Sequence, residues 1–158
     1  MIRSVKMIVT DLDRTLLGKD KGLSEYTKSI INKCRQNGIM FVFATARPER
    51  ATSHFQIGIS PSYVIANNGA TIMSDRKCIQ NIPIPEKIKN DLISQFSNEK
   101  SISFGDDYND VEMIKKCGIG VAVGNAITHV KVVADFICDR NDNDGVAKCI
   151  EQYVLCAV

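Results

Sequence analysis

Residues 5–17, VKMIVTDLDRTLL, carry a short apolar run straight into two aspartates one residue apart, followed by a threonine. An apolar run of this length that ends in a polar turn reads as a buried strand, here Lys6 to Thr10, so Asp11 and Asp13 stand where the chain leaves the core. Side chains alternate along an extended chain, and residues two apart point the same way. That alternation brings both carboxylates to one spot. Like charges so close repel unless a cation joins them. A hard divalent ion such as Mg²⁺ resolves the conflict most simply, because it takes carboxylate, carbonyl and water oxygens and tolerates a phosphate oxygen as well. The strand end is therefore a candidate for phosphoryl chemistry.

The rest of the chain alternates strand and helix, the pattern of an α/β domain with a largely parallel sheet. Leu23 to Gln36 is amphipathic, with Ser24 as N-cap and Gly38 as stop. Ile39 to Ala44 is continuously apolar, as in a strand covered on both faces, and ends at Thr45. Pro48 suits the first turn of a short helix through about Phe55. Tyr63 to Ala66 and Ala70 to Met73 flank Asn67-Asn68-Gly69 as a hairpin. Beyond Pro83 and Pro85, Glu86 to Phe96 has helical apolar spacing. A strand at Ile102 to Gly105, a helix from Asn109 to Lys116, a strand at Ile119 to Val123, a helix near Thr128 to Val133, a strand at Phe136 to Cys138 and a helix from Gly145 complete the alternation.

With 20 basic and 18 acidic residues in 158, the net charge of +2 gives no field that argues for nucleic acid or a membrane surface, and small-molecule chemistry fits better. No apolar run has the length of a membrane span and the first residues lack the order of a signal peptide, so the expected location is cytoplasmic. Cys34, Cys78, Cys117, Cys138, Cys149 and Cys156 form no C-x-x-C pair and are expected to be small, mostly buried hydrophobes. His54 and His129 are isolated in polar helical stretches and are expected at the surface.

DLDRT, ATAR and GDDYND each fall at the C-terminal end of an apolar strand, where open α/β sheets place their ligands. In the last motif Asp106 follows a strand and Asp110 lies four residues on, at a helix start, so the two can face one site. Read alone, that motif is equally a solvated acidic turn with helix capping.

In this order DLDRTLL, ATAR, ANNGATI, GDDYND and VAVGNA resemble the haloacid dehalogenase superfamily, specifically its Cof-type phosphatase branch. The resemblance extends through the tail, ADFICDRNDNDGVAKCIE. It implies a Rossmann-like parallel sheet flanked by helices, in a single domain over 1–158. It further implies Mg²⁺-dependent hydrolysis of phosphate monoesters through an aspartyl-phosphate. By the same resemblance Asp11 is the nucleophile and Asp13 the acid and base. Mg²⁺ is held by Asp11, the backbone carbonyl of Asp13 and Asp106, with support from Asp110. Thr45 binds a phosphoryl oxygen, helped by backbone N–H groups after Asp11, and Asn68 and Arg47 are candidates for the substrate's rim.

The chain departs from the family in three places. Arg14 stands where the family usually has glycine, and Asp107 where it usually has a small residue. The third departure is length, because members of this branch carry a sizeable cap domain and here only a short remnant near 76–101 remains. The family's phosphate-binding lysine belongs to the missing segment. Lys87 is the first candidate to replace it, with Lys89 and Lys100 after it, each a residue that more often belongs to an ordinary solvated face. An essentially capless core leaves the site open to bulky substrates unless neighbouring subunits of a homo-oligomer cover it. The alternative to a phosphatase is a non-catalytic or partner-dependent protein that kept the fold and lost substrate selection with its cap.

Overall fold

A computed structural model describes residues 5–52, 59–74, 77–81 and 100–157. The first strand, β1 (Met7–Thr10), is followed by a tight turn and helix α1 (Glu25–Gln36). Strands β2 (Met40–Ala44), β3 (Tyr63–Ala66), β4 (Thr71–Ser74), β5 (Lys77–Asn81) and β6 (Ser101–Gly105) come next. The order then runs α2 (Val111–Lys116), β7 (Ile119–Ala122), α3 (Thr128–Val133), β8 (Phe136–Ile137) and α4 (Gly145–Tyr153). Among the described residues the strands form one eight-stranded sheet in the order β5-β4-β3-β2-β1-β6-β7-β8. It is parallel from β3 through β8 and antiparallel at β3–β4 and β4–β5.

The chain grows outward from β1 in both directions, first to β2 and β3 and later to β6, β7 and β8. β1 is therefore the point at which the winding reverses, and a crevice opens beyond the C-terminal ends of β1, β2 and β6. The three central strands are buried through nearly their whole length. Phe41 and Phe43, two apart on β2, are fully buried and meet edge to face with ring centroids 6.0 Å apart. Helix α1 closes one face with Thr27, Ile30, Ile31 and Cys34, a stripe at helical spacing. Each such aliphatic side chain contributes roughly 1.5–3 kcal/mol of burial.

Both ends of α1 follow from its sequence. Ser24 Oγ accepts the Thr27 N–H at 3.0 Å and donates to Asp144 Oδ1 at 2.6 Å, so the N-cap also ties α1 to the start of α4. Gly38, at φ +71°, turns the chain out of the helix, and Ile39 N–H returns to the Cys34 carbonyl. Ser24→Ala is expected to cost about 1–2 kcal/mol, read as a lower urea midpoint with an unchanged slope.

The sequence expectations for the strands, the hairpin and α1, α3 and α4 agree with these elements within a residue or two. Two details differ. The helix expected from Asn109 opens as a single tight turn at Tyr108–Asp110 before α2. Lys77–Asn81, within the stretch read as a cap remnant, adds an edge strand to the main sheet, and residues 82–99 of that stretch lie outside the described residues. After Pro48 the chain makes a short turn at Glu49–Ala51, and the rest of the helix expected through about Phe55 lies outside the described residues. The helix expected at Glu86 to Phe96 lies outside the described residues. No disulfide forms among the described residues, and only Cys34 and Cys149 are buried, while Cys78 and Cys156 are exposed. His129 is exposed and lies against Tyr108, ring centroids 5.7 Å apart; His54 is outside the described residues. No helix among the described residues is long and apolar enough to cross a membrane.

Candidate active site

Asp11 is the first residue beyond β1, and its N–H is tied to the Phe104 carbonyl of β6 at 3.1 Å. Asp106 is the first residue beyond β6, and Asp110 returns to it across the turn at Tyr108–Asp110. All three are buried, and one carboxylate oxygen from each lies within 4.8 Å of the other two.

Backbone geometry fixes the acidic loop. Asp110 Oδ2 accepts the N–H of Asp106 at 2.8 Å and that of Asp107 at 3.1 Å, while Asp107 Oδ1 accepts the Tyr108 N–H at 2.7 Å, a reciprocal cap at the head of α2. Asp106 Oδ1 accepts the Thr15 hydroxyl at 3.2 Å. Asp106 Oδ2 is buried and receives no hydrogen bond, and Arg14 Nε, 3.4 Å away, is its ionic neighbour. A buried carboxylate oxygen without a donor is costly unless a cation joins it.

The charges respond to this crowding. Burial pushes Asp11 up to about 8, with the charges of Asp110, Asp106 and Asp13 adding to the effect and the Leu12 N–H opposing it. Burial also raises Asp110 to about 6, against the two N–H groups it accepts. Asp106 is raised by burial and pulled back by Arg14 and Thr15. Three buried carboxylates that favour protonation in isolation form a pocket for a hard cation with oxygen ligands, so the residues present fit a divalent metal.

Asp13 does not join them. Its carboxylate is not among the three that meet within 4.8 Å, although its charge raises both Asp11 and Asp106. The turn after Asp11 passes through Arg14 at φ +60°, and Asp13 is directed across the crevice to Arg47, which grips both its oxygens at 2.5 Å. That paired hydrogen bond lowers the Asp13 carboxyl below its ordinary value, with the charges of Arg47 and Lys21 assisting against burial.

The second edge of the crevice is built by β2 and the hairpin. Thr45 is buried at the end of β2, and its Oγ1 accepts the Arg47 N–H at 3.2 Å. Asn67 and Asn68 both take left-handed backbone, at φ +52° and +53°, which asparagine tolerates better than most residues. The turn docks on that strand end through Asn67 N–H to the Arg47 carbonyl and Asn68 N–H to the Thr45 carbonyl. Asn68 and Arg47 thus stand beside Thr45.

Lys87 and Lys89 lie outside the described residues. Lys100 is at the wrong end of the sheet, since its carbonyl accepts Lys6 N–H at the start of β1, a strand's length from the carboxylates. Thr15, Asn125 and Lys21 carry parts of the site for which the sequence reading gave no role. Asn125 donates to the Arg14 carbonyl at 2.7 Å and accepts Asn141 N–H at 3.0 Å. The third letter of the D-x-D-x-T pattern was the available signal for Thr15. Asn125 lies in the VAVGNA motif, and nothing local marks Lys21.

The sequence matches the family described as haloacid dehalogenase-like hydrolases in two segments, residues 8–100 and 94–150. A 5-amino-6-(5-phospho-D-ribitylamino)uracil phosphatase, YcsE of Bacillus subtilis (strain 168), is 52% identical over 60 residues, 38% of this chain and 24% of that protein. The pyridoxal phosphate phosphatase YbhA of Escherichia coli (strain K12) is 37% identical over 60 residues, 38% of this chain and 22% of that protein. The chain thus matches about a quarter of the length of these relatives. A haloacid dehalogenase-like hydrolase from B. subtilis superposes with a TM-score of 0.82 at 17% identity, covering 95% of this chain and 100% of that one. Another, from Bacteroides thetaiotaomicron, gives 0.79 at 20% identity over 94% and 99%. These structural matches establish the fold.

Proposed function

The chain belongs to the haloacid dehalogenase-like hydrolases, and from that premise we propose that it is a Mg²⁺-dependent phosphatase of small phosphate monoesters, working through an aspartyl-phosphate on Asp11. The observation that carries the proposal is the buried triad of Asp11, Asp106 and Asp110, with Asp106 Oδ2 lacking any hydrogen-bond donor. Relatives named as phosphatases of a ribitylaminouracil phosphate and of pyridoxal phosphate support the substrate class.

In this proposal Asp11, Asp106 and the backbone carbonyl of Asp13 hold Mg²⁺, and Asp110 braces the loop that presents Asp106. The bound ion supplies positive charge that offsets the carboxylates and the phosphate. Asp11 attacks phosphorus as the P–O bond to the alcohol breaks, and Asp13 gives that alkoxide a proton. Asp13 then takes a proton from the water that cleaves the acyl phosphate, releasing inorganic phosphate and restoring Asp11. Thr45 offers its hydroxyl to a phosphoryl oxygen.

Arg47 has a second duty here. With its guanidinium on Asp13, the carboxyl is held ionised and cannot act as an acid. Exchange of Arg47 from Asp13 to the arriving phosphate frees Asp13 and anchors the substrate in one movement. Asn68 lines the same rim. Lys87 stands as the proposed cation from the segment outside the described residues.

The reading keeps a short insertion in place of a full cap within this chain. A small activated ester needs no cap, so acetyl phosphate with Mg²⁺ and with EDTA, followed by a panel of phosphorylated sugars, nucleotides and pyridoxal phosphate, is the test. Metal-dependent release of phosphate is the expected result. A folded, Mg²⁺-bound protein that releases none from any member overturns the proposal in favour of a non-catalytic or partner-dependent role.

A further inference from the structure

Arg14 occupies a backbone conformation that an arginine adopts only at a cost. At φ +60° and ψ 3° its Cβ crowds the following carbonyl, which disfavours every residue with a side chain relative to glycine. The turn gives it no freedom to relax. Leu17 N–H closes on the Leu12 carbonyl at 2.8 Å, and Asn125, itself held by Asn141, pins the Arg14 carbonyl at 2.7 Å. The side chain, by contrast, is 61% exposed and able to move. Its Nε nevertheless lies 3.4 Å from Asp106 Oδ2, the same buried oxygen that receives no hydrogen bond.

We propose that Arg14 is an intramolecular competitor for the divalent cation at Asp106, holding the carboxylate's charge while the metal is absent and leaving for solvent when the metal arrives. The inference rests on reading the aspartate triad as a Mg²⁺ site. Asp106 Oδ1 is already engaged by Thr15, so Oδ2 is the oxygen free to ligate, and a cation bound there lies against the guanidinium. Two cations so close repel, and the protein must displace the arginine each time it loads metal. The consequence is a weakened metal affinity and a site with a resident counter-charge when empty. Asp107, one residue from Asp106 and partly exposed, adds a further negative charge to the same neighbourhood.

Calorimetric titration of Mg²⁺ into EDTA-treated, dialysed protein tests this without reference to turnover. Arg14→Gln removes the charge and keeps the strained backbone, whereas Arg14→Gly removes both. Both variants are expected to bind Mg²⁺ about tenfold more tightly than the parent chain, the weight of one exposed charge beside a divalent ion. Equal or weaker binding by both overturns the inference and leaves the metal site standing. Tightening by Arg14→Gly alone also overturns it, because backbone relief and not charge is then responsible. Absence of Mg²⁺ binding in all three proteins removes the metal site itself, and the inference with it.

Discussion

Asp11→Asn is expected to lower Mg²⁺-dependent phosphatase turnover by at least about a thousandfold and, in the same protein, to raise stability at pH 8 when metal is removed. The two effects have one cause. Asp11 is buried among carboxylates, and its ionised form is unfavourable in the empty site, with a pKa raised from 3.8 to about 8. Below about pH 4 the group is protonated in both folded and unfolded chains and costs nothing. Between about pH 4 and 8 the folded state binds more protons than the unfolded one, so stability falls as pH rises. At about 1.4 kcal/mol per tenfold change in proton affinity, the burden at pH 8 is on the order of 5 kcal/mol. Asp110, raised to about 6, steepens the lower part of that window. Asparagine keeps the shape and removes the charge, but offers phosphorus no anionic nucleophile. Urea midpoints across pH 4–8 in EDTA and in Mg²⁺, beside phosphate-release assays, check both halves. A parent protein whose stability in EDTA does not fall with pH contradicts the electrostatic account, and an active Asp11→Asn protein contradicts the catalytic one.

What could be read from the sequence divides along a physical line. The buried strands were legible because IVT, MFVFA and ISFG are apolar runs that stop at polar motifs, and a run of that kind has few ways to be satisfied other than at the middle of a parallel sheet. Ser24 and Gly38 marked α1 because capping is local chemistry. Asp11, Asp106 and Asp110 were found because each follows such a strand or opens the next helix. Asp13's partner was not, since its direction depends on a turn with left-handed backbone at Arg14, and nothing in D-x-D spacing foretells that turn. Asn125 lies 111 residues from Arg14, a contact made by packing alone. β5 escaped notice because KCIQN lacks the alternation of a half-buried strand. Among the described residues it pairs only with β4, where register slips between Ile72 and Met73, so edge pairing carried the decision and pattern did not.

Gly105→Ala is expected to damage both fold and site while leaving all three buried carboxylates in the sequence. Gly105 is the last residue of β6, between β1 and β7, and a Cβ there would stand 2.4 Å from Asp110 Cβ and 2.7 Å from its Cγ and Oδ2. Neither side is able to yield cheaply. The strand is held by neighbours on both edges, Val123 N–H reaches the Gly105 carbonyl at 3.2 Å, and Asp110 is fastened by the N–H groups of Asp106 and Asp107. The methyl group therefore expels the Asp110 carboxylate, leaving two buried N–H groups without an acceptor. Overpacking and the lost hydrogen bonds together cost about 3–5 kcal/mol. Because those N–H groups define the loop that carries Asp106, Mg²⁺ affinity is expected to fall at least about tenfold in whatever fraction remains folded. Chemical denaturation in EDTA gives the first quantity and Mg²⁺ calorimetry below the unfolding midpoint gives the second. If stability drops while Mg²⁺ affinity is kept, Asp110 is a structural brace that the metal ignores. If both are kept, the close approach of β6 to Asp110 is not what positions the acidic loop.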